Sequence, residues 1–220
     1  MPRIRPAGIE HVYTDGPGLF TRNLVPGEAV YGERLRTQDE TEYRFWNPRR
    51  SKLAALILKG CDVFPFAADS TVLYLGAASG TTASHLSDIC SRGVVYCVEL
   101  SPRPFRKLVS LSESRKNMMP ILADANRPES YQAAIGRADI VYQDVAQRNQ
   151  AGILLKNLGL VRERGYAFLM IKARSVDVTK RPTRVYDAVE DELSRSGVNV
   201  LQRVSLDPYE KDHAALIAQK

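Results

Sequence analysis

The sequence predicts an α/β fold in which a mostly parallel seven-stranded sheet with one antiparallel strand follows a small β-rich subdomain. Three observations support this prediction. From Thr71 onward, apolar strand-like segments alternate with helix-compatible segments, which is typical of a parallel sheet covered on both faces. The last two strands are separated only by Asp207–Asp212, and a parallel crossover needs about a dozen residues or more. Residues 1–45 instead carry short apolar stretches separated by turn residues.

The N-terminal region is rich in Gly, Pro, Thr and Tyr. Two turn signals, Asp15–Gly18 and Pro26-Gly27, interrupt its apolar stretches. These stretches are Ile9–Tyr13, Leu19–Leu24 and Ala29–Tyr31. The pattern predicts β-hairpins that form a small subdomain over residues 1–45, ahead of an α/β domain over residues 46–220.

A helix is expected between the two regions. Asn47 is a residue type that caps helix N-termini, Pro48 suits the first helical position, and Gly60 suits the position just past the end. Between them, apolar residues recur at helical spacing, and Lys52 borders the apolar stripe that they form.

Strands and helices then alternate to the end of the chain. The predicted strands are Val72–Leu75, Val94–Val98, Ile121–Ala123, Ile140–Gln143, Tyr166–Ile171, Val198–Leu206 and His213–Ala218. The predicted helices are Ala83–Cys90, Pro104–Ser114, Tyr131–Ile135, Gln150–Leu158 and Thr183–Ser196. A sheet with this antiparallel ending is the pattern of Rossmann-like methyltransferases, whereas a dinucleotide dehydrogenase usually continues with a second βαβαβ half. The ending therefore favours a methyl donor over NAD.

Composition is that of an ordinary globular protein, with 44% hydrophobic and 25% charged residues. The formal net charge of +6 is compatible with a polyanionic partner such as RNA, and equally with a basic enzyme that binds none. Cys61, Cys90 and Cys97 form no C-x-x-C pair, so we expect reduced thiols of a cytoplasmic protein. We expect neither a membrane span, which needs roughly 18 apolar residues, nor a signal peptide.

A glycine loop lies where the first strand of the alternating region meets the next helix. Gly76 ends the strand and Gly80 precedes the helix, and glycines allow a sharp turn and close approach of a ligand to the backbone. The spacing is G-x-x-x-G rather than the G-x-G-x-x-G of dinucleotide loops. On its own this spacing is weak evidence, because any tight strand-to-helix turn can carry two glycines.

Acidic residues follow three strands of the predicted sheet. Glu99 is expected to accept the ribose hydroxyls of an adenosine, and Asp124 its adenine amino group, with Ala125 beside the ring. Asp144 follows the next strand. Each acid alone could merely cap a helix, but three at successive carboxyl ends favour a ligand site. Without a pyrophosphate cradle, this site fits S-adenosylmethionine better than NAD or ATP.

Lys172 closes the apolar strand Tyr166–Ile171. A lysine in that position would be partly desolvated, which favours its neutral, basic amine. Asp144 would be its neighbour across the top of the sheet. The alternative is a lysine whose stem lies along the core while its ammonium reaches water.

Several longer motifs resemble the fibrillarin family of RNA 2′-O-methyltransferases, in the same order and over nearly the whole chain. They are Tyr43–Ala55, Tyr74–Thr82, Tyr142–Gln147, Ile171–Ser175, Asp177–Thr179 and Glu210–His213. Two departures are minor. Leu100 stands where the family often has an aromatic residue, and only Gly165 marks a turn where a glycine pair is common. The chain carries no Gly/Arg-rich tract, so it resembles the archaeal members.

The resemblance implies roles for particular residues. The implied catalytic group is Lys52, Asp144, Lys172 and His213. Together with the glycine loop, the implied cofactor contacts are Gly76, Ala77, Gly80, Thr81, Thr82, Glu99, Leu100, Asp124, Ala125, Asp144, Val145, Ala146 and Gln147. The cofactor would be S-adenosylmethionine, and no metal is expected.

The chemistry of methyl transfer to a ribose hydroxyl fits these residue types. The hydroxyl is a poor nucleophile until its proton is removed, and Lys172 held by Asp144 is the candidate base or orienting group. Lys52 would stabilise the developing alkoxide. His213 could transfer a proton or have only a structural role. His85 is expected to be packed in its helix rather than catalytic, and His11 has no visible partner.

Basic residues near the expected site are candidates for binding RNA phosphates: Arg49, Arg50, Arg148, Arg174, Lys180 and Arg181. No RNA-reading module is apparent. The resemblance implies that target choice in rRNA comes from a box C/D guide RNA, and tRNA is a further candidate target. It also implies a Nop-domain scaffold and a kink-turn-binding ribosomal-type protein as partners. Alternatives are a stand-alone methyltransferase on another RNA or protein substrate and a non-enzymatic scaffold, and self-association through the N-terminal hairpins remains open.

Overall fold

A computed structural model describes residues 2–220, which form two β-sheets, seven α-helices and two short 3-10 helices. The larger sheet has seven strands: β6 (Thr71–Leu75), β7 (Val94–Glu99), β8 (Met118–Leu122), β9 (Ala138–Gln143), β10 (Val161–Lys172), β11 (Asn199–Ser205) and β12 (His213–Gln219). Their order across the sheet is β11-β12-β10-β9-β6-β7-β8. The strand β12 runs antiparallel to both of its neighbours, and the other pairings are parallel. The mostly parallel seven-stranded sheet with one antiparallel strand is therefore confirmed.

The sheet is covered on both faces, as its apolar strands require. The helices are α1 (Lys52–Gly60), α2 (Thr81–Ile89), α3 (Pro102–Ser114), α4 (Gln132–Ile135), α5 (Gln150–Asn157), α6 (Ala173–Val176) and α7 (Pro182–Arg195). Successive side chains of β6 point to opposite faces: Leu73 and Leu75 join the core beneath α5 and α7, whereas Val72 and Tyr74 join the core beneath α1 and α2. Each face thus has its own apolar layer.

The N-terminal region forms a five-stranded antiparallel sheet. Its strands are β1 (Arg5–Pro6), β2 (Val12–Thr14), β3 (Leu19–Arg22), β4 (Leu35–Gln38) and β5 (Thr41–Trp46), in the order β1-β2-β3-β5-β4. This sheet packs on the α2 side of the larger sheet, because Val12, Leu19 and Trp46 belong to the same apolar cluster as Leu86. The predicted β-rich N-terminal region is present, and its separation at residue 45 stays a prediction.

One predicted apolar stretch of this region is not a strand. Ala29–Tyr31 forms an irregular loop, because the buried carboxylate of Glu33 accepts hydrogen bonds from the amides of Val30 and Tyr31. Those amides are consequently unavailable for a strand ladder.

The start of the first helix differs from the prediction. The side chain of Asn47 accepts a hydrogen bond from the Arg49 amide at 2.9 Å, which forms a local turn instead of a helix cap. Helix α1 begins at Lys52, and Ser51 is its N-cap, with its hydroxyl accepting from the Ala54 amide. As a result, Lys52 occupies the first helical position rather than a position in the interior of a longer helix, where it was expected to border the apolar stripe.

Some strands begin or end a few residues away from their predicted bounds. Strand β8 covers Met118–Leu122, so Asp124 lies two positions beyond the strand rather than at its end. Strand β10 extends back to Val161, with an irregularity in its register between Val161 and Tyr166. The added residues surround Gly165, where a Cβ would lie 2.7 Å from the Asp139 carbonyl oxygen. This glycine permits two backbones to approach closely.

All three cysteines are free thiols, with Cys90 and Cys97 buried. Burial raises the pKa of Cys61 to about 11 and that of Cys90 to about 12, so both thiols stay protonated. Within residues 2–220, no three His, Cys, Asp or Glu side chains cluster as metal ligands, and no helix is both long and apolar enough to span a membrane.

Candidate active site

The candidate site lies along the edge of the larger sheet where β6, β7, β9 and β10 end. Ligands of open α/β sheets bind at these carboxyl ends, because the loops that follow parallel strands meet there. The glycine loop follows β6, Glu99 ends β7, Asp144 follows β9, and Lys172 ends β10. The fold therefore brings together Lys172 and two of the three acids that the sequence analysis singled out, Glu99 and Asp144.

Two glycines shape the loop after β6. Gly76 has a φ of +80°, and a Cβ there would lie 2.8 Å from the Asp144 carbonyl oxygen. Gly80 has a φ of +91°, and a Cβ there would lie 2.6 Å from a methyl group of Leu111. Both positions combine left-handed backbone with a close neighbour, so a side chain at either one would displace the loop.

A cleft of about 280 Å³ opens between the glycine loop and the loops after β7 and β9. Its lining residues are Gly76, Ala78, Val98, Glu99, Leu100, Ser101, Ala123, Ala125, Asp144, Val145, Ala146, Gln147 and Lys172. Eight of the predicted cofactor contacts line this cleft: Gly76, Glu99, Leu100, Ala125, Asp144, Val145, Ala146 and Gln147. The size and mixed lining suit a nucleoside-like ligand.

Glu99 is held rigidly at one wall of the cleft. Its Oε2 accepts a hydrogen bond from the Ala78 amide at 2.8 Å, and its Oε1 accepts one from the Ser101 amide at 2.7 Å. Each carboxylate oxygen has a second lone pair, so the side chain can still accept hydrogen bonds from two hydroxyls. This geometry matches the role expected for an acid that binds a ribose.

The remaining predicted cofactor contacts do not line the cleft. Asp124 accepts a hydrogen bond from the Asn126 amide at 2.9 Å, which fixes the turn beside Ala125. Ala77 and Gly80 are buried inside the glycine loop, and Thr81 faces a neighbouring groove. Thr82 is buried and donates its hydroxyl hydrogen to the Ser51 hydroxyl at 3.0 Å. These residues shape the loop, and Thr82 links it to the cap of α1.

Asp144 is bracketed by two lysines at the mouth of the cleft. Lys52 Nζ lies 3.3 Å from Asp144 Oδ2, and Lys172 Nζ lies 2.9 Å from Asp144 Oδ1. Lys172 also donates a hydrogen bond to the carbonyl oxygen of Asp144 at 3.2 Å. The three side chains are 13–18% exposed, so they are sheltered yet reachable from solvent.

The end of β10 is held in place by Gln150, a residue that sequence reasoning missed. Its Oε1 accepts a hydrogen bond from the Lys172 amide at 3.0 Å. Its own carbonyl oxygen accepts one from the buried Gln143 amide group at 2.7 Å. Gln150 thereby ties the strand that carries Lys172 to the strand that precedes Asp144. Its place in an apolar helix was the only available signal.

His213 lies next to Lys172, on the neighbouring strand β12. It is the register partner of Lys172 across the antiparallel β10–β12 pair, so both side chains project from the same face of the sheet. Its Nδ1 lies 2.7 Å from the Lys211 carbonyl oxygen, and a carbonyl only accepts, so Nδ1 carries a hydrogen. Asp212 pairs with Arg174 at 2.9 Å instead of supporting the histidine.

Two buried tyrosines lie near the carboxylate. Tyr74 and Tyr142 are register partners on β6 and β9, and their rings meet edge to face at 4.7 Å between centroids. Burial raises the pKa of both phenols well above its usual value. Both therefore remain neutral, and neither can take a proton from a substrate hydroxyl.

The predicted RNA-binding residues are exposed but differ in their partners. Arg174 and Lys180 form ion pairs with Asp212 and Asp177. The Arg49 guanidinium contacts the Pro208 carbonyl oxygen at 3.4 Å, and that of Arg50 lies 5.6 Å from the centre of the Tyr31 ring. The other two predicted RNA-binding residues, Arg148 and Arg181, are also exposed.

Sequence reasoning missed four residues that line the cleft: Ala78, Val98, Ser101 and Ala123. Ser101 was detectable as the second residue after Glu99. The other three carry no chemical signal, since small and apolar side chains contribute only shape. His85 was correctly expected to be packed, because it is fully buried and stacks on Trp46. His11 pairs with Glu10 at 3.1 Å.

The sequence profile of fibrillarin matches residues 5–220. The chain belongs to the fibrillarin family. A curated relative from Thermococcus onnurineus, the fibrillarin-like rRNA/tRNA 2′-O-methyltransferase, is 51% identical over 215 residues, which cover 96% of this chain and 95% of that protein.

Two solved fibrillarin structures have the same fold. Aeropyrum pernix fibrillarin with natively bound S-adenosyl-L-methionine is 44% identical, with a TM-score of 0.90, and the match covers 99% of this chain and 100% of that one. The fibrillarin of a fibrillarin/Nop5p complex is 42% identical, with a TM-score of 0.87, and the match covers 96% and 97% of the two chains. These matches confirm the resemblance and the fold expected from the motifs. The roles of individual residues stay predictions.

Proposed function

We propose that this fibrillarin-family chain transfers a methyl group from S-adenosylmethionine to the ribose 2′-hydroxyl of target nucleotides in rRNA and tRNA. The observation that carries this proposal is the placement of Asp144 between Lys52 and Lys172 at the mouth of a nucleoside-sized cleft. The name of the Thermococcus onnurineus relative supports the reaction and its RNA substrates.

The cleft fits S-adenosylmethionine. Glu99 has two carboxylate lone pairs free for ribose hydroxyls, and the apolar side chains of Leu100, Ala125 and Val145 line the walls as an adenine ring requires. The Aeropyrum pernix relative carries this cofactor. When bound, S-adenosylmethionine supplies a methyl group on a positively charged sulfonium, which an oxygen nucleophile can attack.

The lysine pair is suited to remove the proton of the attacking hydroxyl. In this mechanism Lys52 stays paired with Asp144 and Lys172 is the base. The neutral Lys172 amine then accepts the proton of the 2′-hydroxyl. Its hydrogen bond to the Asp144 carbonyl oxygen fixes its position for this step.

Lys52 provides positive charge next to the oxygen that becomes negative. Preorganised charge of this kind stabilises a developing oxyanion without rearrangement during the reaction. The N-cap at Ser51 and its hydrogen bond from Thr82 fix the first turn of α1, and therefore the origin of the Lys52 side chain. Holding oxygen and methyl near contact distance could itself contribute about 7–11 kcal/mol.

Selection of the target nucleotide requires partners. The structure of fibrillarin with Nop5p supports a Nop-domain scaffold as one partner of this chain. We further propose that a box C/D guide RNA selects the target by base pairing and that a kink-turn-binding ribosomal-type protein completes the particle. The chain would work in the cytoplasm, and its three free thiols, two of them buried, fit a reducing compartment.

Methyl transfer from labelled S-adenosylmethionine tests the proposal. The expected result is methylation of the ribose opposite the guide position, only with guide RNA and partner proteins present. Unguided RNA and a target with a 2′-deoxy residue at that position are the controls. Equal activity on unguided RNA or on protein would instead favour a stand-alone methyltransferase. Cofactor binding without any transfer would favour a non-enzymatic scaffold.

A further inference from the structure

A second, larger concavity lies on the other side of the glycine loop from the cofactor cleft. This α3 groove has a volume of about 520 Å³. The lining residues that matter here are Tyr31, Arg50, Ser79, Thr81, Lys107 and Ser110. Ser79 and Thr81 belong to the glycine loop, so the groove and the cofactor cleft share one wall. A ligand in the groove would therefore lie next to the reacting cofactor.

The two cations of the α3 groove have no carboxylate partner. Within residues 2–220, neither Arg50 nor Lys107 forms an ion pair or donates a side-chain hydrogen bond, although Glu28 also lines the groove. Arg50 is instead held over the Tyr31 ring, with 5.6 Å between the guanidinium carbon and the ring centre. This contact positions the guanidinium without neutralising it.

The exposed face of α3 continues the positive charge along the groove. Arg103, Lys107, Ser110 and Ser114 follow one another at spacings of three and four residues, so they lie on one face of the helix. The opposite face buries Leu108. This face therefore presents a row of two cations and two hydroxyls beside the glycine loop.

The charge of this row contrasts with that of other basic residues near the site. Arg174 and Lys180 are neutralised by Asp212 and Asp177, and Arg49 contacts a carbonyl oxygen. Arg49 and Arg50 are adjacent in the turn before α1, yet Arg49 reaches the loop before β12 and Arg50 reaches the α3 groove. The turn before α1 therefore places one cation at the loop before β12 and the other at the α3 groove.

We propose that the α3 groove binds the phosphodiester backbone of the target RNA strand on one side of the methylated ribose. This proposal rests on the proposed function, because it takes RNA as the substrate. Unpaired cations and hydroxyls contact phosphate oxygens without reading bases. Such contacts fix the position of the target RNA along the groove, so that one ribose lies at Lys52 and Lys172. Base pairing with the guide RNA selects the sequence.

The test replaces the two groove cations with glutamine, which is uncharged and polar and retains part of the side-chain length. The variant is Arg50→Gln with Lys107→Gln. The matched control is Lys59→Gln with Arg164→Gln, which removes two exposed cations at the end of α1 and at the amino-terminal end of β10, away from the site. Both double variants lower the net charge equally.

The first measurement is binding of the chain to single-stranded RNA containing the target sequence, by fluorescence anisotropy over a range of NaCl concentrations. Loss of two phosphate contacts should reduce the slope of log affinity against log salt by about 1.4. We expect roughly tenfold weaker binding at low salt for the groove variant, equally for different sequences, and little change for the control. Equal losses in both double variants would overturn the proposal, because general charge would then explain them.

The second measurement separates RNA binding from the other possible ligands. In the assembled guide particle, the groove variant should raise KM for target RNA roughly tenfold, while S-adenosylmethionine affinity and assembly with the scaffold stay at wild-type levels. Loss of cofactor affinity would assign the groove to the cofactor, and loss of scaffold binding would assign it to a protein. Either result overturns the proposal. Failure of the wild-type particle to methylate RNA would refute the proposed function, while the salt slopes would still decide the groove.

Discussion

Two aspartates in this molecule are each held between two cations. One of these clusters is buried and holds the fold together, whereas the other lies at the cleft and is accessible to a substrate. Asp88 in α2 lies 2.8 Å from an Arg44 nitrogen and 2.6 Å from an Arg115 nitrogen. Asp144, in the cleft, lies between Lys52 and Lys172. All the side chains of the first cluster are fully buried, whereas those of the second are 13–18% exposed.

The two clusters use different cations, arginine in the buried one and lysine in the one at the cleft, and this choice suits their different roles. Arginine remains charged at any relevant pH and presents several donors in a fixed plane, whereas lysine can release its proton when its surroundings favour the amine. Arg44 uses its donors on Glu33, Asp88 and Ser84, and Arg115 donates to Asp88 and to Asn23. The arginine cluster therefore fixes the N-terminal sheet against α2. The lysine cluster instead places two amines and their carboxylate where a substrate can reach them.

The largest expected effect comes from removing the proton acceptor. Lys172→Ala should lower kcat at least a hundredfold, within the roughly 10²–10⁴-fold range of general acid–base catalysis, while cofactor affinity stays nearly unchanged. Lys172→Arg should fail as well, because arginine keeps the charge but cannot act as a base at neutral pH. Guided methylation under single-turnover conditions and cofactor titration are the measurements.

The arginine variant distinguishes the two roles of the side chain. Activity retained in Lys172→Arg would mean that its charge, not its basicity, is used. Loss of cofactor binding in Lys172→Ala would instead make it a ligand-site residue. Stability should change little in both variants, since the side chain is partly exposed and close to Lys52.

In the arginine cluster the corresponding change should affect folding first. Arg44, Arg115, Glu33 and Asp88 together carry no net charge, and Asp88→Asn leaves two buried guanidiniums with one carboxylate. Breaking a buried ion pair in this way costs about 3–5 kcal/mol. We expect that loss in the free energy of unfolding, measured with denaturant, and normal kcat in the molecules that remain folded.

The control is Asp191→Asn, at a side chain that is 68% exposed in a surface pair with Arg195. Its effect should stay within about 0.5 kcal/mol. A similar small effect for Asp88→Asn would show that the buried cluster contributes specificity of packing rather than stability.

The two clusters also differ in how far the sequence predicted them. Asp144 follows one apolar strand and Lys172 ends another, and the carboxyl ends of such strands meet at one edge of the sheet. Their proximity therefore follows from the fold class. Arg44, Asp88 and Arg115 occupy a strand, a helix and a loop with no shared pattern, and charged side chains are rarely fully buried. Only tertiary packing brings them together.

The cap of α1 shows why local signals can be ambiguous. Asn47 and Ser51 are both good N-cap residues, and their competition is decided by the hydrogen bond of Asn47 to the Arg49 amide. Ser51 in turn accepts a hydrogen bond from Thr82, a partner 31 residues away in the sequence. The sequence predicted a helix and its lysine here, but the register of the first turn depends on that distant contact.

The smallest expected effect concerns pH and the histidine inside the arginine cluster. His85 Nδ1 lies 2.8 Å from Thr21 Oγ1, whose hydroxyl donates to Asp88, and its Nε2 lies 2.9 Å from the Tyr31 hydroxyl. Burial, and then the charges of Arg44 and Arg115, hold the pKa of His85 well below its usual 6.5. Just below pH 6.5, therefore, the ring stays neutral in the folded chain but becomes protonated in the unfolded chain.

A depressed histidine pKa gives stability that is complete above about pH 6.5 and falls as the pH drops below it, because the unfolded state then binds an extra proton. The expected slope rises from about 0.7 kcal/mol per pH unit near pH 6.5 to about 1.4 kcal/mol per pH unit near pH 5, measured by denaturant unfolding. His85→Gln should remove this slope, whereas His11→Asn in a surface turn should preserve it. A slope that survives in His85→Gln would place the acid sensitivity elsewhere, and the arginine cluster would then be insensitive to pH in this range.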